Sequence, residues 1–220
     1  RDRVATSSPA SGQSVIGTSG FNHAEDRRHT CFAAHRLSNV QGAPCMNILV
    51  AVASRHGSSR EIGQAIAEEL RTQGFDVNFL IINEDSHVGN AGAFIVGSAV
   101  YMGSWLPEAL HFVECNASVL RDRPVWLFSC GPTSDMGGYP VDQQEELQKF
   151  LDTLHARDHV NFPGKLDSMA LSVRERVVAS IFGAQVGDFR DWNAIRSWSG
   201  EIASQLREFD RAVVSASDRS

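Results

Sequence analysis

The segment Ser54-Arg55-His56-Gly57-Ser58-Ser59 is rich in hydrogen-bond donors and runs directly into an amphipathic stretch. In that position successive backbone N–H groups at a helix start converge on one point, and the helix dipole favours negative charge there. Gly57 lets the backbone come close, and the hydroxyls of Ser54, Ser58 and Ser59 add donors. The chemistry is anion binding, and a phosphate monoester fits. The loop is neither GxxxxGK[ST] nor GxGxxG, which removes the main support for a nucleoside triphosphate or a dinucleotide. A Ser-rich helix cap is the plainer alternative.

Two further loops carry groups suited to a flat heterocycle. In Gly97-Ser98-Ala99-Val100-Tyr101-Met102-Gly103-Ser104-Trp105, Tyr101 or Trp105 offers a face for stacking. Gly103 would let its peptide rotate as a ring nitrogen gains or loses a proton. Trp105 taken singly is more often a helix-start residue packed on its own domain. The stretch Cys130-Gly131-Pro132-Thr133-Ser134-Asp135-Met136-Gly137-Gly138-Tyr139 would form a second wall, although any long turn shows such Gly and Pro content. Cys130 has no evident His and acid to activate it, and a buried Cys at a strand end is the commoner case.

The elements around these loops follow an α/β rhythm. Asn47–Ala53 (NILVAVA) is a continuous apolar run, as expected for a parallel strand buried on both faces. Ile62, Ile66 and Leu70 line one helical face with Ala65, and Gly74 ends that helix. Further strands are predicted at Asp76–Ile82, Ala93–Ser98, Pro124–Cys130 and, least strongly patterned, His159–Phe162. Helices are predicted from Leu106 to Leu120, over Val141–Ala156, over Leu171–Phe182 and over Trp192–Phe209. The Asp85–Gly92 link leaves little room for a helix between the second and third strands. The result is a doubly wound five-stranded parallel sheet with an extra C-terminal helical segment. Such sheets bind ligands beyond the carboxyl ends of the strands, where the strand order reverses.

The loop of form S/T-x-x-G-x-S/T after the first strand, GSAVYMGSW after the third and GPT after the fourth resemble the flavodoxin family. Within it the chain is similar to the flavodoxin-domain proteins grouped with the menaquinone-dependent protoporphyrinogen oxidases. Phe162-Pro163-Gly164-Lys165-Leu166, Asp191-Trp192, Trp198 and Glu201-Ile202-Ala203 look like that group's C-terminal landmarks. The resemblance covers nearly all of residues 46–210 and implies a flavodoxin-like fold holding FMN. Ser54, His56, Gly57, Ser58 and Ser59 would hold the phosphate, and Ala99, Tyr101, Gly103, Trp105, Gly131 and Thr133 would surround the isoalloxazine. It implies oxidoreductase activity with a quinone or redox partner protein, with protoporphyrinogen as the group's named substrate. The alternative is an electron carrier without a substrate of its own. His56 stands where typical carriers have Thr, and their acidic excess is missing around the ring loops. With no charged residue in 99–105, the expected flavin potential is milder than a low-potential carrier's.

At 220 residues and 42% hydrophobic, the chain holds enough apolar sequence for one sizeable core. Its net charge is −6, and residues 1–45 hold five Arg against three acidic residues, so the remainder is more acidic still and a nucleic-acid surface is not expected. Residues 1–45 read as a disordered leader with Met46 a candidate natural start, 46–212 as the FMN-binding domain and 213–220 as a flexible tail. His23, His29, Cys31 and His35 match no standard zinc spacing, so no metal is expected. The four cysteines form no CxxC pair, and no disulfide is expected. No apolar run approaches the roughly 18 residues of a span, and a cytoplasmic protein is expected. Contact with a membrane would be at most peripheral, through Val173, Val177, Val178, Ile181 and Phe182 beside Arg174 and Arg176. A helix packed on the sheet is the plainer reading of that stretch. A receiver of the same topology needs an Asp at the end of the third strand, where this chain has Gly97-Ser98.

Overall fold

The computed structural model describes residues 46–101, 103–131, 145–167 and 186–217. The leader, Thr133 and the helix expected over Leu171–Phe182 lie outside them. The first strand, β1 (Asn47–Ala53), is buried at every residue after Asn47. Its alternating side chains feed two cores. Ile48, Val50 and Val52 face a layer made by α1 (Ser58–Thr72) and the C-terminal α4 (Trp192–Ser217), while Leu49, Ala51 and Ala53 face α2 (Pro107–Arg121) and α3 (Glu145–Leu154). This two-sided burial explains why the strand reads as continuously apolar.

The other main strands are β2 (Asp76–Ile81), β3 (Ala93–Tyr101), β5 (Val125–Gly131) and β6 (Asp158–Pro163), all parallel in the order β2-β1-β3-β5-β6. This is the five-stranded flavodoxin-like sheet, with a C-terminal helix added. The chain leaves β1 toward β2 on one side and returns to β3 on the other, so the order reverses between β1 and β3. The loops after those two strands must therefore part at their carboxyl ends and leave a crevice.

The helices follow their apolar spacing. Ile62, Ile66 and Leu70 of α1 are fully buried, each stabilising the fold by about 1.5–3 kcal/mol relative to exposure. α2 opens with Pro107 in its first turn, where a missing N–H costs nothing. No helix lies between β2 and β3, as the short Asp85–Gly92 link requires.

Several boundaries differ from the sequence reading. β3 continues past Ser98 to Tyr101 and turns back into an antiparallel β4 (Ser104–Trp105), so the supposed ring loop is largely a hairpin. β6 takes in Asp158 and Pro163, and the latter is tolerated because β6 is an edge strand. A two-stranded ribbon of β7 (Lys165–Leu166) and β8 (Gly187–Asp188) was not anticipated. Strands this short carry no periodicity to read. α4 runs to Ser217, past the predicted end at Phe209 and into the stretch expected to be a flexible tail. Among the described residues no helix is long and apolar enough to cross a membrane, and no group of three or more His, Cys, Asp or Glu side chains is placed to hold a metal.

Candidate cofactor site

The turn between β1 and α1 has the geometry of an anion cradle. Gly57 is the N-cap at φ 90°, a left-handed conformation that a side chain resists. The first intrahelical bond runs from Glu61 N–H to the Gly57 carbonyl at 3.0 Å, so the N–H groups of Ser58 and Ser59 lie ahead of it. Arg60 N–H is already taken by Ser54 Oγ at 3.2 Å, so the helix-cap reading holds for that one hydroxyl. Gly57 itself would leave its added Cβ no neighbour nearer than Glu61 Oε1 at 3.9 Å, which keeps the mouth of the turn open.

The hydroxyls divide their work. Ser58 Oγ accepts the Lys165 backbone N–H at 2.9 Å and lies 3.5 Å from Cys130 Sγ. Ser59 is only 1% exposed and faces inward. Burial pushes the Cys130 thiol up from its ordinary pKa, against the opposing pull of Ser58, Ser59 and the Arg190 charge. Buried and held toward its thiol form, Cys130 has the surroundings of a structural cysteine at a strand end. His56 is exposed at the lip of the turn.

The second loop meets the first. Ala99, Tyr101 and Gly103 are all partly exposed, and the Arg55 guanidinium lies 4.9 Å from the centroid of the Tyr101 ring, joining the two sides of the crevice. Tyr101 pairs with Ser104, so the chain reverses between them, and Gly103 supplies the φ of 85° that so tight a reversal requires. Gly131 ends β5 beside this hairpin, and a Cβ there would come within 2.8 Å of Val100 Cβ. Ser54, Gly57, Ser58 and Ser59 are thus gathered at the end of β1, and Ala99, Tyr101, Gly103 and Gly131 at the ends of β3 and β5.

Of the two readings of Trp105, a stacking face or a residue packed on its own domain, the structure shows the second. It is 3% exposed, lies in the α2/α3 core against Phe150 at 6.5 Å between ring centroids, and donates its indole N–H to Ser129 Oγ at 2.8 Å. Its work in this geometry is to hold the hairpin from beneath. Ser98 and Ser129 stand opposite each other on β3 and β5, both fully buried. Ser98 Oγ accepts the Leu106 N–H at 3.0 Å while Ser129 holds Trp105. Behind Ser129, at 2.9 Å, is His159 Nε2. Ser129 thus bridges Trp105 and His159, and burial lowers the His159 pKa against the opposing charge of Asp158, which favours a neutral ring. Neither serine nor His159 stood out in the sequence. A single serine inside each of two otherwise apolar strands was the available signal.

The family model of the flavodoxin domain matches residues 49–182. The chain belongs to that family. The match covers β1 from Leu49 onward, β2, β3, β5 and β6, with the loops that follow β1 and β3. Flavodoxin domains are FMN-binding domains, so the cofactor expected from the sequence is the one the family carries. A flavodoxin from the domain Archaea superposes with a TM-score of 0.52 at 12% identity, covering 74% of this chain and 99% of that one. The rubredoxin oxygen:oxidoreductase of the anaerobe Desulfovibrio gigas superposes with a TM-score of 0.52 at 16% identity, over 74% of this chain and 36% of that one. The chain thus spans about a third of the length of the latter protein. At these identities the likeness is one of fold. No curated protein sequence matches the chain.

Proposed function

We propose that the domain seats FMN with its phosphate in the Ser54–Ser59 turn and its isoalloxazine beside Ala99, Tyr101, Gly103 and Gly131, and that it works as an FMN-dependent oxidoreductase. The observation that carries this reading is the open, left-handed Gly57 turn at the point where the strand order reverses, with a partly exposed Tyr101 across the crevice. The donor set fits the group: two N–H groups ahead of the first helical bond, no carboxylate in the turn itself, and an aromatic face on the other side. Thr133 completes the proposal from the family resemblance, and Trp105 takes part as the support of the hairpin.

When bound, FMN supplies reversible acceptance of electrons. The chain's residues do the rest. The turn orients the phosphate through backbone N–H groups. Tyr101 offers its face, Gly103 gives the peptide next to the ring its freedom to turn, and the Ser98 and Ser129 hydroxyls fix the hairpin that carries both. The Arg55 guanidinium over Tyr101 braces that ring from the β1 side. The electrons pass between an organic reductant and a quinone or a partner protein. Protoporphyrinogen as the reductant is the finer form of this proposal and rests on the sequence resemblance alone. Flavin titration followed by turnover with a porphyrinogen and a soluble quinone tests both levels. Binding without turnover of any small substrate favours the electron carrier instead.

A further inference from the structure

The C-terminal segment reaches back to the proposed phosphate turn. β7 pairs with β8, Phe189 N–H donates to the Gly164 carbonyl at 3.2 Å, and the Lys165 N–H meets Ser58 at the start of α1. This ribbon delivers Arg190. Its side chain is 6% exposed, its Nε and Nη2 reach the two carboxylate oxygens of Asp188 at 2.7 and 2.6 Å, and its Nη1 bonds Glu61 Oε2. The guanidinium also lies 4.6 Å from the centroid of the Trp192 ring, so it is held on three sides. Such a bidentate, stacked arrangement is one that arginine makes and lysine does not.

Glu61 is the acidic residue in the first turn of α1, and its Oε1 is the nearest atom to the open side of Gly57. An acid there favours the helix dipole, but it also sets a negative charge beside the place where a phosphate must sit. Arg190 is the cation bonded directly to that carboxylate. We propose that Arg190 sets the preference of this domain for phosphorylated over unphosphorylated flavin, by offsetting the Glu61 charge at the rim of the Ser54–Ser59 turn. This rests on the FMN reading above. Arg190 acts through Glu61 and is a positioning residue.

The test is the ratio of riboflavin to FMN dissociation constants, measured by flavin-fluorescence quenching at low salt. Wild type, R190Q, E61Q and the R190Q/E61Q double variant are compared. R190Q lowers the ratio by about two- to fivefold, as expected for one charge at a helix terminus, with riboflavin binding unchanged. E61Q raises it by a similar factor, and the double variant returns to within about twofold of wild type. The differences shrink at high salt. Equal weakening of FMN and riboflavin in R190Q, or a ratio that no variant moves, overturns the proposal while leaving FMN binding in place. Wild-type protein that binds neither flavin removes the FMN reading and this proposal together. If R190Q does not fold, E61Q alone decides, because it alters a half-exposed side chain on the helix surface and its predicted gain is opposite in sign to damage.

Discussion

Replacing Ser129 with Ala removes one oxygen and leaves two groups without their partner. The indole N–H of Trp105 donates to Ser129 Oγ at 2.8 Å from a ring only 3% exposed, so no water replaces the lost acceptor. An unsatisfied buried donor costs about 1–3 kcal/mol. His159 Nε2, 2.9 Å from the same oxygen, loses its partner but is less deeply buried and regains one from water more easily. The expected destabilisation is therefore about 1–3 kcal/mol, which for a urea m-value near 2 kcal/mol/M lowers the unfolding midpoint by roughly 0.5–1.5 M at unchanged slope. The assay is urea unfolding of Ser129→Ala in the wild-type and Trp105→Phe backgrounds. With Phe at 105 there is no indole donor to strand, so most of the cost disappears. A Ser129→Ala variant within about 0.5 kcal/mol of wild type, or one costing the same in both backgrounds, would refute the reasoning.

The remaining expectations concern single groups. His159 has its folded pKa below the ordinary 6.5, so the unfolded chain binds more protons in the interval between the two values. Stability should accordingly fall as pH drops below 6.5, and His159→Gln should flatten that part of a stability-against-pH profile measured by urea unfolding. Gly57→Ala forces a side chain into φ 90° and should cost about 1–2 kcal/mol of stability. The same change should weaken FMN more than riboflavin, read by fluorescence quenching. Cys115 is exposed and Cys130 buried with a raised pKa, so alkylation at pH 8 followed by mass mapping should label Cys115 first and Cys130 only on unfolding.

The sheet could be read from the sequence because burial on two faces writes itself as unbroken apolar runs. NILVAVA, AFIVGS and PVWLFSC each became a strand. The tight turn before α1 was readable because Gly57 between two serine-bearing stretches marks a strand-to-helix junction, and it takes φ 90° there. The β3–β4 hairpin was harder. Trp105 offered the chain's most inviting aromatic in that loop, but whether an indole points into a crevice or beneath a hairpin depends on the Ser129 that accepts its N–H, twenty-four residues away. The Arg190–Glu61 pair spans 129 residues and joins two stretches that look unrelated in the sequence. Such pairings are decided by the crossover that brings strand ends together, which the order of elements predicts only in outline.

The turn after β1 is proposed to hold the phosphate of FMN. Titration of the purified chain with FMN, followed by flavin-fluorescence quenching in wild type and in a Gly57→Asp variant, tests it most directly. Tight, saturable quenching is expected in the wild type and its loss in the variant, because the new carboxylate repels the phosphate and the side chain strains the turn at φ 90°. An unchanged affinity in Gly57→Asp, or no binding of FMN by the wild type, contradicts it.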